Sequence, residues 1–169
     1  MDETTLTLDP PLRACWMKIG QQKRVPATRP GIKQKRHVFG GYDWANDTIT
    51  WTMAETKNSS QFIGFLEHLL ITQYPTGRVV LVMDNAAYHK SASSLAALSL
   101  FEHRVLVIWL PTYCSELNPI ERYWRHLKDQ ACANKLQDGI DEVVKTAENI
   151  MIDQNNPESV SRYHVSRNL

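Results

Sequence analysis

Arg78-Val-Val-Leu-Val-Met-Asp84 and Val105-Leu-Val-Ile-Trp-Leu110 each hold an unbroken apolar run, and a helix-like stretch from Ser91 to His103 lies between them. Strand, helix, strand in that order predicts a parallel pair joined by a crossover, and continuous apolarity predicts burial on both faces of each strand. Upstream, Phe62, Phe65, Leu66, Leu69 and Leu70 recur at helical spacing behind Asn58, Ser59 and Ser60, residue types that cap helix N-termini. Downstream, Asn118-Pro-Ile-Glu121 opens a helix with an apolar stripe of Ile120, Trp124, Leu127 and Ala131, and a further helix runs from about Ile140 to Ile152.

Residues 2–53 read differently. Short segments rich in β-branched and aromatic residues, Thr4–Leu8, Ala14–Met17, His37–Trp44 and Thr48–Met53, are punctuated by Pro10, Pro11, Gly20, Pro26, Pro30, Gly31 and Asn46-Asp47. They predict an antiparallel meander interrupted by one long loop. A meander followed by helix, strand, helix, strand and helix is an α/β fold in the ribonuclease H-like order, a mixed sheet with helices on both faces. One domain over 1–153 accounts for this pattern, and the polar residues 154–169 read as a C-terminal tail.

Bulk composition sets outer limits. The 169 residues are 43% hydrophobic and 22% charged, enough for one packed core, and the formal net charge of +1 neither demands nor excludes a nucleic-acid partner. Charge is unevenly placed, however: residues 23–36 carry Lys23, Arg24, Arg29, Lys33, Lys35 and Arg36 with no acid among them, a stretch suited to phosphates or to plain solvation. Cys15, Cys114 and Cys132 are too scattered for a disulfide framework or a zinc site, which fits a reducing, cytoplasmic setting. The longest apolar runs are too short to cross a bilayer, so no membrane partner is expected.

Three acids stand where a site could form. Asp84 ends a buried strand, at the sheet edge where open α/β folds bind ligands, although an Asx turn closing the strand explains it equally. Glu121 lies in the first turn of the helix after the neighbouring strand, where Asn118 as N-cap, Pro119 and Glu121 also spell a capping box. Asp2 opens the first extended segment and is either brought toward Asp84 by a central strand or solvated at a chain end. Asn85 and His89 follow Asp84 as supporting groups or ordinary loop residues, and Arg122, Arg125 and Lys128 line the last of these helices as DNA contacts or solvated charges.

The flanking residues decide between these readings. Leu81-Val-Met-Asp-Asn-Ala-Ala-Tyr-His-Lys90, followed by Trp109-Leu-Pro-Thr-Tyr-Cys-Ser-Glu-Leu-Asn-Pro-Ile-Glu-Arg-Tyr-Trp-Arg-His-Leu-Lys128, resembles the DDE transposases of bacterial insertion sequences related to the mariner elements. That family joins a D-N-x-x-x-H strand end to an L-P-x-Y-x-P-x-L-N-P-I-E-x-x-W-x-x-L-K segment. Asp2-Glu3 matches its D-E after the first strand, Trp16 through Gly20 its W-x-x-x-G, and the step of 37 positions from Asp84 to Glu121 its usual spacing. The match runs from residue 2 to about 130; Ser115 stands where the family has proline.

The resemblance implies a catalytic triad of Asp2, Asp84 and Glu121 that holds two Mg²⁺ or Mn²⁺ ions, supported by Asn85, His89 and Asn118. It implies metal-dependent DNA cleavage and strand transfer by a homodimer on transposon ends and target, with Lys23, Arg24, Lys33, Lys35, Arg36, Arg122, Arg125 and Lys128 as candidate DNA contacts. The family also carries an N-terminal helix-turn-helix domain and the apolar half of the first strand ahead of its first aspartate, and this chain is expected to lack both. A truncated non-catalytic relic, or a ribonuclease H-like nuclease or resolvase, are the alternative readings.

Overall fold

The computed structural model describes residues 1–28, 34–111, 114, 117–160 and 162–163; Arg29, Lys33 and Ser115, all singled out above, lie outside them. Five strands and four α-helices follow one another: β1 (Asp2–Thr7), β2 (Lys35–Asp43), β3 (Thr48–Ala54), α1 (Ser59–Glu67), β4 (Val79–Met83), α2 (Ala92–Ser99), β5 (Val105–Trp109), α3 (Ile120–Ala131) and α4 (Ile140–Asn155). A π-helical turn, His68–Gln73, extends α1.

The meander forms as read: β1 pairs antiparallel with β2 from Asp2↔Gly40 to Thr7↔Lys35, and β2 pairs with β3. β4 and β5 pair in parallel from Val79↔Val105 to Met83↔Trp109. The two ladders are separate sheets, ordered β1-β2-β3 and β4-β5. Across their seam the Met1 backbone nitrogen donates to the Val82 carbonyl oxygen.

Strand alternation then divides the core in two. Leu6, Val38 and Ile49 pack against Tyr123, Trp124 and Leu127 of α3 and Val143, Ala147 and Met151 of α4. On the opposite face, Phe39 and Ala54 join Leu81 and Met83 against Phe62, Phe65 and Leu66 of α1, Leu69 and Leu70 of the π-turn and Leu98 of α2. Helices thus cover both faces of the three-stranded sheet, and every apolar residue in the predicted α1 pattern is buried.

Three expectations need correction. Ala14–Met17 forms no strand; with Leu12 and Ile19 it belongs to a solvent-exposed excursion between β1 and β2, pinned by Asn134, which bonds both the Arg13 amide and its carbonyl at 2.9 Å. An isolated extended segment needs a partner strand for its backbone groups, and these residues meet a side-chain amide instead. β4 and β5 are not buried on both faces: Val80, Leu106 and Ile108 are 56%, 60% and 45% exposed, because the helices cover only the Leu81 and Met83 side. Finally, α3 begins after Pro119, with no side-chain cap; Asn118 donates instead to the Met1 carbonyl at 3.2 Å.

No helix among the described residues is long and apolar enough to cross a membrane.

Candidate active site

Asp2 and Glu3 are neighbours in sequence and point to opposite sides of β1, as strand geometry requires. Asp2 borders a cleft of about 330 Å³ shared with Thr4, Arg13, Glu121, Trp124, Arg125 and Lys128. Its carboxyl is pushed up to about 7, first by burial and then by the charges of Glu3, Glu121 and Asp84, against a hydrogen bond from the Glu3 backbone. Asp2 therefore senses both of the other predicted acids.

Asp84 sits just past β4, half exposed, and its Oδ1 accepts from the Ala86 amide at 3.0 Å. This is the Asx turn anticipated as the plain structural explanation, and it coexists with a second contact: Nδ1 of His89 lies 2.9 Å from the same oxygen. The imidazole is fully buried, and its Nε2 lies 2.9 Å from Glu3 Oε1. Burial alone would lower the histidine's pKa, but the hydrogen bond and charge of Glu3 and the charge of Asp84 outweigh it and hold the ring above its ordinary value. An imidazolium can donate from both nitrogens, which matches a ring with a carboxylate oxygen at each end.

The asparagines act as struts. Asn85 donates to the Leu110 carbonyl and ties the exit of β4 to the exit of β5, while Asn118 ties the entrance of α3 to the start of β1. Together with the Met1–Val82 bond, the Asn118 bond links the segments that carry Asp84, Asp2 and Glu121.

Of the predicted DNA contacts, Arg125 and Lys128 line the cleft that holds Asp2 and Glu121. Arg122 is half-buried on the same helix. Lys23, Arg24 and Lys35 are exposed outside the cleft, and Arg36 is drawn into ion pairs with Glu55 at 2.9 Å and Asp141 at 3.6 Å. Arg13, which the sequence reading passed over, also lines the cleft and pairs with Asp129 at 2.6 Å. Nothing in the spacing of Arg13 marks it, because it arrives on the irregular excursion. Glu3 and Tyr88 were likewise overlooked: the Tyr88 hydroxyl donates to Glu3 Oε2. The available signal was strand alternation, which turns Glu3 inward and obliges it to find donors.

Asp2, Asp84 and Glu121 fit hard divalent cations in chemistry, since all three offer carboxylate oxygen and a cation would offset the burial and the like charges that raise Asp2. Among the described residues, no three of His, Cys, Asp and Glu stand close enough together to surround one ion. The donor set is right in kind; Asp2 and Glu121 line one cleft, and Asp84 stands outside its lining.

The family model described as DDE superfamily endonuclease matches residues 1–143. A protein of Shigella sonnei, "Insertion element IS630 uncharacterized 39 kDa protein", is 31% identical over 133 residues, covering 79% of this chain and 38% of that protein. The Mos1 transposase paired-end complex with left transposon end superposes with a TM-score of 0.72 at 17% identity, over 98% of this chain and 50% of that one. The Mos1 mariner paired end complex with Mn gives 0.69 at 18% identity, with the same coverage. The chain thus spans half or less of the length of these relatives, and shares the catalytic-domain fold of Mos1, which is ribonuclease H-like. With a family model that spans the strands, the crossover and all three acids, the chain belongs to the DDE superfamily endonucleases.

Proposed function

We propose that this chain is the catalytic body of a cytoplasmic DNA transposase, cutting DNA and joining strands by divalent-metal-dependent phosphoryl transfer as a homodimer. Asp2, Asp84 and Glu121 are its metal-holding acids. The observation that carries this reading is the state of Asp2, a carboxyl raised to about 7 that feels Glu121 and Asp84 at the rim of a cleft lined by Arg125 and Lys128. Structural ion-pair networks also perturb acids, but Asp2 is raised first by burial and then by three like charges, a combination that clusters at functional sites.

In this reading the cleft places a DNA phosphate between the acids and the two basic side chains of α3. Arg125 and Lys128 hold the non-bridging oxygens and orient the scissile bond, a contribution of position rather than of bond-making. Arg13 can join them on release from Asp129. Two Mg²⁺ or Mn²⁺ ions bound to Asp2, Asp84 and Glu121 would supply activation of the attacking oxygen and neutralisation of the leaving one. Trp124 excludes water beneath the acids, Asn85 ties the loop that carries Asp84 to the exit of β5, and Asn118 ties the entrance of the helix that carries Glu121 to the start of β1.

Supercoiled-plasmid nicking with Mg²⁺ or Mn²⁺ tests cleavage, and a duplex bearing a free 3′-hydroxyl tests joining. Wild-type activity that survives EDTA, or that persists in Asp84→Asn and Glu121→Gln, would sink the proposal. Cleavage without joining would instead mark a nuclease or resolvase. A non-catalytic relic is the second reading; it predicts metal binding with no cleavage.

A further inference from the structure

β1 and β4 carry the first two acids yet belong to different hydrogen-bonded sheets, with the Met1–Val82 bond between their backbones. What spans the seam is a closed cluster of side chains centred on Glu3, which also borders the cleft. Glu3, 2% exposed in its side chain, has one oxygen at His89 Nε2 and the other at the Tyr88 hydroxyl; His89, with no exposed surface, reaches on to Asp84. A buried carboxylate without partners is costly, and here each oxygen has a donor, so the cluster is satisfied in one geometry. Ring packing fixes that geometry further: His89 is clasped between Phe62 and Tyr88, each with a centroid 4.6 Å away.

We propose that Glu3 is a positioning residue: through His89 and Tyr88 it locks the loop that carries Asp84 to the strand that carries Asp2, and so sets how tightly this pair of acids holds a divalent cation. The inference rests on the reading of Asp2 and Asp84 as metal-holding acids. Glu3 is the residue next to Asp2, so restraint of its side chain restrains the strand backbone from which Asp2 projects. His89 meanwhile holds the very carboxylate oxygen of Asp84 that the turn at Ala86 also holds. Partners that orient a metal ligand from behind commonly govern affinity nearly as much as the ligands themselves.

Calorimetric titration of Mn²⁺ into the full chain without DNA reads the effect. His89→Asn keeps a donor near the Asp84 side and loses Glu3; His89→Gln keeps one near the Glu3 side and loses Asp84. Both, and Glu3→Gln, should weaken Mn²⁺ binding about 10- to 100-fold, with the near-UV circular dichroism of the metal-free protein retained. Tyr88→Phe, which deletes one hydroxyl and keeps the rings in place, should weaken it less and serves where a larger change prevents folding. A role confined to core packing gives the reverse pattern, a lowered melting temperature with unchanged affinity in the folded fraction, and that result overturns the proposal. Wild-type uptake matched by all four variants sinks this inference alone; a wild-type chain that takes up no Mn²⁺ sinks the reading of Asp2 and Asp84 and this inference with it.

Discussion

The Trp124 indole lies directly against the backbone of Gly40, so close that a methyl group on Gly40 would stand 2.4 Å from Cη2 and 2.6 Å from Cζ2 of the ring. Gly40 is the partner of Asp2 in the β1–β2 ladder, and Trp124 is three residues beyond Glu121 on α3. The absence of a side chain at one position therefore sets how near the helix with Glu121 can approach the strand with Asp2.

Gly40→Ala should accordingly cost about 1–3 kcal/mol in stability, the usual range for an overpacked core, by forcing the indole and its helix outward. It should also weaken Mn²⁺ binding and plasmid nicking, because Glu121 moves with the helix. Melting curves and titration measure both; a variant as stable and as avid as the wild type contradicts the packing argument.

Asp2 makes stability depend on pH in a direction opposite to that of most acids. Its folded-state carboxyl titrates near 7 against an ordinary 3.8, so the folded chain binds the proton more tightly than the unfolded one. Without metal, the contribution of Asp2 to stability is fully present below about pH 4, declines as pH climbs through 7, and levels off above. Asp2→Asn cannot ionise, so in EDTA it should melt above the wild type at about pH 8 and lose that advantage at about pH 4. A gap that stays constant across the range would show that ionisation of Asp2 is not what strains the fold.

The basic residues separate by location. Arg125 and Lys128 line the cleft, so alanine at either should weaken DNA binding uniformly across sequences and lower the slope of log affinity against log salt by about 1 each. Arg36 is committed to Glu55 and Asp141, whose side chains are 84% and 93% exposed; its alanine variant should leave the salt slope intact and cost at most about 1 kcal/mol. Fluorescence anisotropy over a salt series distinguishes them, and an equal change in slope for Arg36 and Arg125 would count against a localised phosphate site.

Much of this was legible in the chain itself, for identifiable reasons. The helical spacing of Phe62 to Leu70 and the two apolar runs each need one face of core, and that demand fixed α1, β4, β5 and the parallel pairing. Asp84 and Glu121 could be placed because each follows a strand whose end was already known. What escaped notice lacks a periodic signature. Arg13 reaches the cleft on an excursion held by Asn134, more than a hundred positions away in sequence, and no local pattern encodes such a tie. Glu3 was hidden by its neighbour, since the match of Asp2-Glu3 to a family motif drew attention to the outward acid, while the inward one finds its partners 85 and 86 residues later. The second faces of β4 and β5 were misjudged because an unbroken apolar run states a preference for burial without naming what provides it.

That last feature governs how the chain behaves in a tube. Val80, Leu106 and Ile108 form an oily ribbon, and β5, which carries two of them, pairs only with β4 among the described residues. An apolar strand at a sheet margin adheres to its own kind. Light scattering should rise with protein concentration and salt, and Leu106→Thr with Ile108→Thr, which place a β-branched, hydroxyl-bearing side chain suited to a strand at both positions, should suppress it while leaving Mn²⁺ uptake untouched.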